Sequence, residues 1–192
     1  MNRPPTYWFP KRYADAVARL RVPCGFLLLI TFAVLSRPTR ASILNSIPIC
    51  ALGLFIRAWA AGHLAKNQDL ATSGPYAYLR NPLYAGTLIT AVGIMIAARN
   101  LALAAIFILV FTLVYLPVIE LEEQHLREIF PDYAIYALSI HRLLPLQKWP
   151  GAQRRFSWSL YRRNEEYKAL IGFLIALAWL IFRSWFSEKQ SG

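Results

Sequence analysis

The stretch GPYAYLRNPLYAG, residues 74–86, stands at the entrance of an apolar run and is unusually polar and rigid for that position. Its prolines and glycines restrict or bend the backbone, three tyrosines crowd it, and Arg80 lies in the middle. A stiffened turn at a helix N-terminus presents free N–H groups and the positive end of the helix dipole to an anion. The stretch therefore predicts a binding site at the mouth of a helix, with Arg80 directed at an anionic group.

The composition around this stretch is that of a membrane protein. The chain has 192 residues, of which 57% are hydrophobic and 16% are charged, whereas soluble domains carry about 25% charged residues. The net charge of +11 comes from residues that flank apolar runs, so a basic stripe for nucleic acid is not indicated. Cys24 and Cys50 lie inside apolar runs and lack the spacing of a disulfide framework or a zinc site.

Five apolar runs predict an all-α, polytopic membrane protein with about five transmembrane helices. We expect a single membrane domain over 1–192, with an interfacial N-terminus and two helices in 1–61, a cofactor core in 62–146, and an interfacial segment and fifth helix in 147–192. The N-terminal run has no small-residue cleavage site and is expected to remain as the first helix. The runs are residues 22–36, 41–61, 83–98, 101–119 and 169–186.

The distribution of positive charge predicts the orientation of these helices. With five crossings and a cytosolic N-terminus, sixteen of the 21 lysines and arginines fall on the inner side. This asymmetry is what the positive-inside rule requires. Both long polar connections, 62–82 and 120–168, then lie on the cytosolic side. We expect the active site of this integral membrane protein there, in the inner membrane if the source is prokaryotic.

Two segments are predicted to lie at the membrane interface because aromatic and basic residues alternate in them. The first includes Tyr7, Trp8, Phe9 and Tyr13, and the second is RRFSWSLYRRNEEY, residues 154–167. Within the second, Asn164 followed by two glutamates predicts a cap for the last helix.

A second polar block, ELEEQHLREIFPDYAIYALSIHRLLP, spans residues 120–145 and brings three carboxylates onto one helical turn. Glu123 and Arg127 are four residues apart and could form a solvated ion pair. The tyrosines of the first block could likewise form an aromatic belt. Glu122 and His125 match one half of a di-iron motif whose second copy is missing, so no metal is expected. Gly-rich nucleotide loops are also missing.

The two blocks together suit a ligand with a carboxylate, a positive centre and a sugar diol, as S-adenosylmethionine has. In the order that they occur, they resemble the signature of the integral-membrane methyltransferases typified by isoprenylcysteine carboxyl methyltransferase. Phosphatidylethanolamine N-methyltransferase is a more distant relative. The matching residues are Gly74-Pro75-Tyr76, Arg80-Asn81-Pro82-Leu83-Tyr84, Glu122-Glu123, Leu126, Phe130, Tyr133-Ala134-Ile135-Tyr136 and Leu144-Pro145.

The resemblance implies an enzyme that moves a methyl group from S-adenosylmethionine to a lipid-borne or lipophilic acceptor at the cytosolic face. It favours a prenylcysteine carboxylate, with a phospholipid amine next. Arg80 and Glu123 are expected to be catalytic, with Arg80 orienting an anionic group and Glu123 at the reacting end. The family's usual histidine is Asn81 here, which donates hydrogen bonds but does not titrate near pH 7. The implied cofactor contacts are Tyr76, Asn81, Pro82, Leu83, Tyr84, Glu122 and Glu123.

Two other classes of function stay open at this stage. The first is a membrane NADPH-dependent lipid or sterol reductase, in which Arg127, Arg142 and Lys148 would bind the additional phosphates. The second is a non-enzymatic membrane partner, which leaves Arg80 and the clustered carboxylates without a purpose. Membrane lipids are the expected partners in every case.

Overall fold

A computed structural model describes residues 9–151 and 153–191 of the chain, and in these ranges all regular structure is helical. We number the helices in chain order. Tyr7 and Trp8, predicted to lie at the interface, fall outside the described residues. The helices are α1 Lys11–Leu35, α2 Arg40–Ala61, α3 Pro82–Ala98, α4 Leu101–Ile129, α5 Tyr133–Ser139, α6 Trp158–Arg163 and α7 Tyr167–Ser191.

The prediction of an all-α polytopic membrane protein is confirmed. Four helices, α1, α2, α4 and α7, are long and apolar enough to cross a membrane, and α3 is a shorter apolar helix of 17 residues. At 1.5 Å per residue, a helix of that length spans about 25 Å, near the lower limit for crossing the hydrocarbon core. The α1 helix begins eleven residues before the predicted apolar run, at Lys11. Its basic first turns explain why hydrophobicity alone placed the start too late.

Helices α2 and α3 form a close hairpin because glycines face each other between them. A Cβ atom at Gly53 would lie 2.6 Å from the backbone oxygen of Gly86, and one at Gly86 would lie 2.6 Å from the oxygen of Gly53. Small residues of this kind let membrane helices approach at backbone distance. The close approach brings Arg57 of α2 beside the first turns of α3.

Helix α4 contains a π-helical turn over Phe111–Tyr115, directly before Pro117. Proline has no N–H group to donate to the carbonyl four residues earlier, and its ring pushes that carbonyl aside. The carbonyl in question is that of Leu113, which accepts a hydrogen bond from the Tyr13 hydroxyl at 2.6 Å. At its irregular turn, α4 therefore accepts a hydrogen bond from α1.

One hydrophobic core cluster lies at one end of the bundle, where five helices meet. Its buried members come from α1, α2, α3, α4 and α7, and they are Phe32, Ile43, Ala97, Ala98, Leu103 and Leu180. Apolar side chains elsewhere on the long helices are largely exposed, as expected of surfaces that face lipid. The polar connections between helices gather at the opposite end, away from this core.

The C-terminal segment is joined to α2 at this polar end. The side-chain amide of Asn164 donates hydrogen bonds to the carbonyls of Ala61 and Leu64, at 2.9 Å and 2.8 Å. The prediction that Asn164 caps the last helix is therefore wrong. Its amide satisfies carbonyls at the C-terminal end of α2, a partner far away in sequence that local pattern could not reveal.

Candidate active site

The two polar blocks meet at a single cavity of about 960 Å³ at the polar end of the bundle. Its walls come from α1, from the end of α2, from the connection over residues 64–81, and from the starts of α3 and α5 together with the second half of α4. Seven of the eight predicted site residues line it, namely Tyr76, Arg80, Asn81, Pro82, Leu83, Tyr84 and Glu122. Glu123 is the exception.

The first wall is a one-turn 3₁₀-helix, Gly74–Ala77, followed by the turn that leads into α3. Gly74 has a φ of +58° and packs against the ring of His63, where a Cβ atom would lie 2.7 Å from ring carbons. Only glycine fits both the left-handed backbone and the space. This accounts for the first residue of the GPYAYLRNPLYAG stretch.

The segment after α5 returns to hold this wall in place. The N–H groups of Arg80 and Asn81 donate to the carbonyls of His141 and Arg142 at 2.9 Å and 3.1 Å, and the Tyr136 hydroxyl donates to the Tyr76 carbonyl at 2.6 Å. The tyrosine pair of α5 and the first polar block are thus one structural unit. The backbone of the binding turn is set by bonds to chain about 60 residues later.

Glu123 lies beneath the cavity wall, where its carboxylate is surrounded by donors. Oε1 accepts from Asn81 Nδ2 at 2.8 Å, Oε2 accepts from Arg142 Nε at 2.9 Å, and Arg80 Nε lies 3.5 Å from Oε1. The side chain is 2% exposed. This geometry fits a residue that positions Arg80 and Asn81, whereas the predicted place at the reacting end would need contact with the cavity. The ion pair that Glu123 could form with Arg127 is absent from the ion pairs of the described residues, in which the Arg127 guanidinium lies over the Tyr133 ring at 5.4 Å.

Arg80 links this buried group to the cavity, and its predicted role of orienting an anion stays a prediction. Its side chain is 11% exposed. Among the described residues, its Nε finds no hydrogen-bond partner although it is buried. The arginine is thus held electrostatically by Glu123 while it lines the cavity.

Glu122 is the carboxylate that faces the cavity. Its Oε1 accepts a hydrogen bond from the Tyr84 hydroxyl at 3.0 Å, and Arg21 Nη1 lies 3.5 Å away. Its side chain is 47% exposed, so it is accessible to a cationic group of a ligand. The third carboxylate of the same turn, Glu120, is buried and accepts from the backbone N–H of Phe9 at 3.1 Å.

Several cavity residues were not found from the sequence, above all Arg21 of α1 and Arg57 of α2. Arg57 donates from Nε to Glu166 at 2.5 Å and also bonds the Thr87 hydroxyl. Arg57 lies near the end of an apolar run, and its partners come from segments that are distant in the sequence. His125 lines the cavity as well, one turn after Glu122. No local pattern distinguished Arg21 from the other basic residues of the N-terminal segment.

Buried tyrosines form part of the cavity wall. Burial raises the pKa of Tyr76 well above its usual value of 10.0, and the nearby carboxylates of Glu166 and Glu122 raise it further. Burial likewise raises the pKa of Tyr133 and of Tyr136. The cause is that the phenolate would lose its hydration. These hydroxyls are therefore neutral donors at physiological pH.

The residues proposed for NADPH are not cavity residues. Arg142 pairs with Glu123, Lys148 lies over the Tyr78 ring at 5.7 Å, and Arg127 lies over Tyr133. None of the three belongs to the cavity lining. Within residues 9–151 and 153–191, no group of three or more His, Cys, Asp or Glu side chains gathers as a metal site would need.

Two curated relatives are similar to parts of this chain. The cobalt-zinc-cadmium resistance protein CzcN of Cupriavidus metallidurans is 40% identical over 83 residues, which cover 42% of this chain and 38% of that protein. The nickel-cobalt-cadmium resistance protein NccN of Alcaligenes xylosoxydans xylosoxydans is 37% identical over 118 residues, covering 60% of this chain and 50% of that protein. The chain thus spans half or less of these relatives. No solved structure matches it significantly.

A family model gives the clearest comparison, because its match includes most of the residues that build the cavity. Residues 41–133 match the model of the phospholipid methyltransferases, from the start of α2 to the first residue of α5. The resemblance to membrane methyltransferases is confirmed, while the isoprenylcysteine subgroup stays a prediction. Residues 41–133, just under half of the chain, thus match the phospholipid methyltransferases, a family of integral-membrane methyltransferases.

Proposed function

We propose that this protein transfers the methyl group of S-adenosylmethionine to a lipophilic acceptor at the cytosolic face of the membrane. The observation that carries the proposal is the cavity of about 960 Å³ in which both polar blocks of the family pattern meet. The family match supports a membrane methyltransferase. The identity of the cofactor, the side of the membrane and the acceptor are the proposed part.

The residues of the cavity fit the chemical groups of S-adenosylmethionine. Glu122, half exposed in the cavity, suits the ammonium group. Arg80, whose buried Nε has no hydrogen-bond partner in the described residues, suits the carboxylate. Tyr76, which lines the cavity, offers an aromatic surface to the adenine. When bound, the cofactor supplies an electrophilic methyl group on a sulfonium.

The protein's own task is then one of position. Holding two reactants in line can supply roughly 7–11 kcal/mol of barrier lowering. Asn81 and Arg80 are fixed to Glu123, and their backbone N–H groups are bonded to the segment after α5. A rigid wall of this kind suits the orientation of a reactant. A carboxylate acceptor needs no base, whereas an amine must first lose a proton.

The favoured acceptor is a lipophilic carboxylate of the isoprenylcysteine type, with a phospholipid amine next. The cavity wall on α1 is apolar except for one arginine, which supports an acidic acceptor over a cationic one. The cytosolic location rests on the excess of Lys and Arg in the connections that build the site. The reductase alternative loses support because its three basic residues lie outside the cavity lining.

The test is transfer of labelled methyl from S-adenosylmethionine by the purified protein. Prenylcysteine analogues, phosphatidylethanolamine and total membrane lipid serve as acceptors, and the product is identified by mass. We expect a methyl ester on the prenylcysteine analogue. The proposal is contradicted if none of these substrates is labelled and if NADPH, but not S-adenosylmethionine, stabilises the protein in thermal unfolding.

A further inference from the structure

One face of α1 lines the cavity, although α1 lies before the region that matches the family model. The residues of this face are three or four positions apart, which places them on one side of a helix. They are apolar or small apart from one arginine. The face consists of Ala18, Arg21, Val22, Gly25, Phe26 and Leu29.

The register of this face is fixed by contacts with α4. The Tyr13 hydroxyl bonds the Leu113 carbonyl at 2.6 Å, and the Phe9 N–H bonds the buried Glu120 carboxylate at 3.1 Å. Both contacts lie near the polar end of the helix. Arg21 and the apolar residues after it are therefore held toward the cavity rather than rotating freely.

Arg21 makes only a weak ion pair within the protein. Its Nη1 lies 3.5 Å from Glu122 Oε1, and both side chains are nearly half exposed, at 46% and 47%. Ion pairs at such exposure contribute little. A guanidinium carries five N–H donors. A single carboxylate oxygen at this distance cannot occupy all of them, so Arg21 keeps donors for a ligand. Glu122 also keeps the Tyr84 hydroxyl as a donor if Arg21 turns to a ligand.

Beyond Arg21 the face is suited to hydrocarbon. The protein leaves most of the surface of Val22, Phe26 and Leu29 uncovered, with exposed fractions of 60%, 63% and 60%. Gly25 leaves space between α1 and α4, because a Cβ atom there would lie 3.8 Å from the Tyr115 hydroxyl oxygen. A larger side chain at this position would fill part of the cavity.

We propose that α1 is the acceptor-binding wall, with Arg21 binding an acidic group of the acceptor and the face from Val22 to Leu29 binding its hydrocarbon portion. This inference rests on the proposed function, because it assigns α1 to the acceptor and the residues of the two polar blocks to the cofactor. Specificity for the acceptor then resides in a helix outside the matched region. The cofactor and acceptor sites meet at Glu122.

The shared position of Glu122 predicts coupling between the two ligands. An ammonium group bound to Glu122 competes with Arg21 for the carboxylate and leaves Arg21 to the acid of the acceptor. S-adenosylhomocysteine, which keeps the ammonium, should therefore increase the affinity for an acidic lipophile. By thermodynamic linkage the lipophile increases the affinity for S-adenosylhomocysteine by the same factor.

The test measures binding of oleate, oleyl alcohol and oleylamine to the full chain in lipid nanodiscs. Hydrogen bonds to a charged group predict a preference of about tenfold for oleate over the alcohol. Arg21→Gln should abolish this preference, and Arg21→Lys should keep part of it. Arg19→Gln is the matched control, since Arg19 is exposed and outside the cavity lining.

A second pair of variants tests the hydrocarbon part of the wall. Gly25→Leu should weaken binding of all three lipophiles, because it fills the space beside Tyr115. Gly172→Leu should not, since a Cβ atom at Gly172 meets nothing within 4 Å. Thermal unfolding of each variant verifies that it is folded.

The inference is overturned if the wild type does not prefer oleate, or if Arg21→Gln keeps the preference. Binding of S-adenosylhomocysteine is measured separately by calorimetry. If oleate binding depends on Arg21 while no methyl transfer occurs, the proposed function is wrong, but the assignment of α1 as a binding wall for acidic lipophiles is supported. If methyl transfer occurs but Arg21→Gln leaves oleate binding and the KM for the acceptor unchanged, the wall fails and the proposed function stands.

Discussion

The side-chain amide of Asn81 donates a hydrogen bond of 2.8 Å to the carboxylate of Glu123, joining the two polar blocks beneath the cavity. Asn81 is 9% exposed and Glu123 is 1% exposed, so the bond is shielded from water. The family's usual histidine at this position could serve as a donor or as a base. In this chain the geometry requires only a donor, which asparagine provides.

Replacing Asn81 by alanine should therefore weaken the protein and its cofactor site together. The loss of a donor to a buried carboxylate costs about 1–3 kcal/mol. We expect a lower unfolding temperature and weaker binding of S-adenosylhomocysteine, measured by thermal unfolding and calorimetry. Asn81→Asp should be worse, because it places two carboxylates in contact. Asn81→His should retain most of the binding, and equal losses in the histidine and alanine variants would contradict a donor role.

Removing the charge of Glu123 should destabilise the protein more than removing the charge of an exposed carboxylate on the same helix. Glu123→Gln leaves Arg80 and Arg142 without their common counter-charge. Breaking a buried pair costs up to about 3–5 kcal/mol, and the 24% exposure of Arg142 reduces this figure. Glu128→Gln is the control, since Glu128 is exposed at the end of the same helix. Similar unfolding temperatures for the two variants would show that Glu123 is not a structural anchor.

The two tyrosines of the Tyr-x-x-Tyr pattern should behave in opposite ways when each hydroxyl is removed. Tyr136→Phe deletes the hydrogen bond to the Tyr76 carbonyl and should cost about 1 kcal/mol. The buried Tyr133 hydroxyl has no hydrogen-bond partner among the described residues. Tyr133→Phe should therefore be neutral or stabilising. Thermal unfolding of both variants is the measurement, and a larger loss in Tyr133→Phe would refute this assignment.

Two buried tyrosines, Tyr76 and Tyr136, predict how stability depends on pH. Burial raises the pKa of Tyr76 and Tyr136 in the folded protein above the value near 10 of the unfolded chain. Their contribution is fully present below about pH 10 and is lost as the pH rises further, because only the unfolded chain then releases the protons. These two groups should leave the unfolding temperature unchanged between pH 7 and about pH 10. Above about pH 10 they should lower it. Tyr136→Phe should show a smaller fall than the wild type.

The ion pair between Arg57 and Glu166 should connect the C-terminal segment to the cavity. The two side chains are 23% and 9% exposed, with 2.5 Å between Nε and Oε1. Glu166→Gln should lower stability by about 1–3 kcal/mol and weaken ligand binding, since Arg57 lines the cavity. Glu165→Gln is the control, because its pair with Lys168 is more than half exposed and should be worth less than about 1 kcal/mol.

A double-mutant cycle separates this coupling from nonspecific loss. Arg57→Gln combined with Glu166→Gln should be less destabilising than the sum of the single variants. Additive effects would mean that the two residues act independently.

The sequence by itself determined that this is an all-α membrane protein, and it identified the two polar blocks that meet at the cavity. Apolar runs specify membrane helices because the hydrocarbon core offers no water, so every backbone N–H and C=O group must be hydrogen-bonded within the protein. The order of GPYAYLRNPLYAG and the later glutamates specified a methyltransferase pattern. Both are local properties, carried by neighbouring residues. The family match confirmed the pattern at the level of the phospholipid methyltransferases.

The tertiary structure decided what each charged side chain does. Three glutamates on one turn look equivalent in sequence, yet Glu120 bonds the backbone of Phe9, Glu122 faces the cavity, and Glu123 is buried. Their side chains point about 100° apart for each residue along the helix, so each meets a different neighbour. Arg21 became a candidate only through the packing of α1 against α4. Long-range contacts of this kind depend on the whole bundle, and no short pattern encodes them.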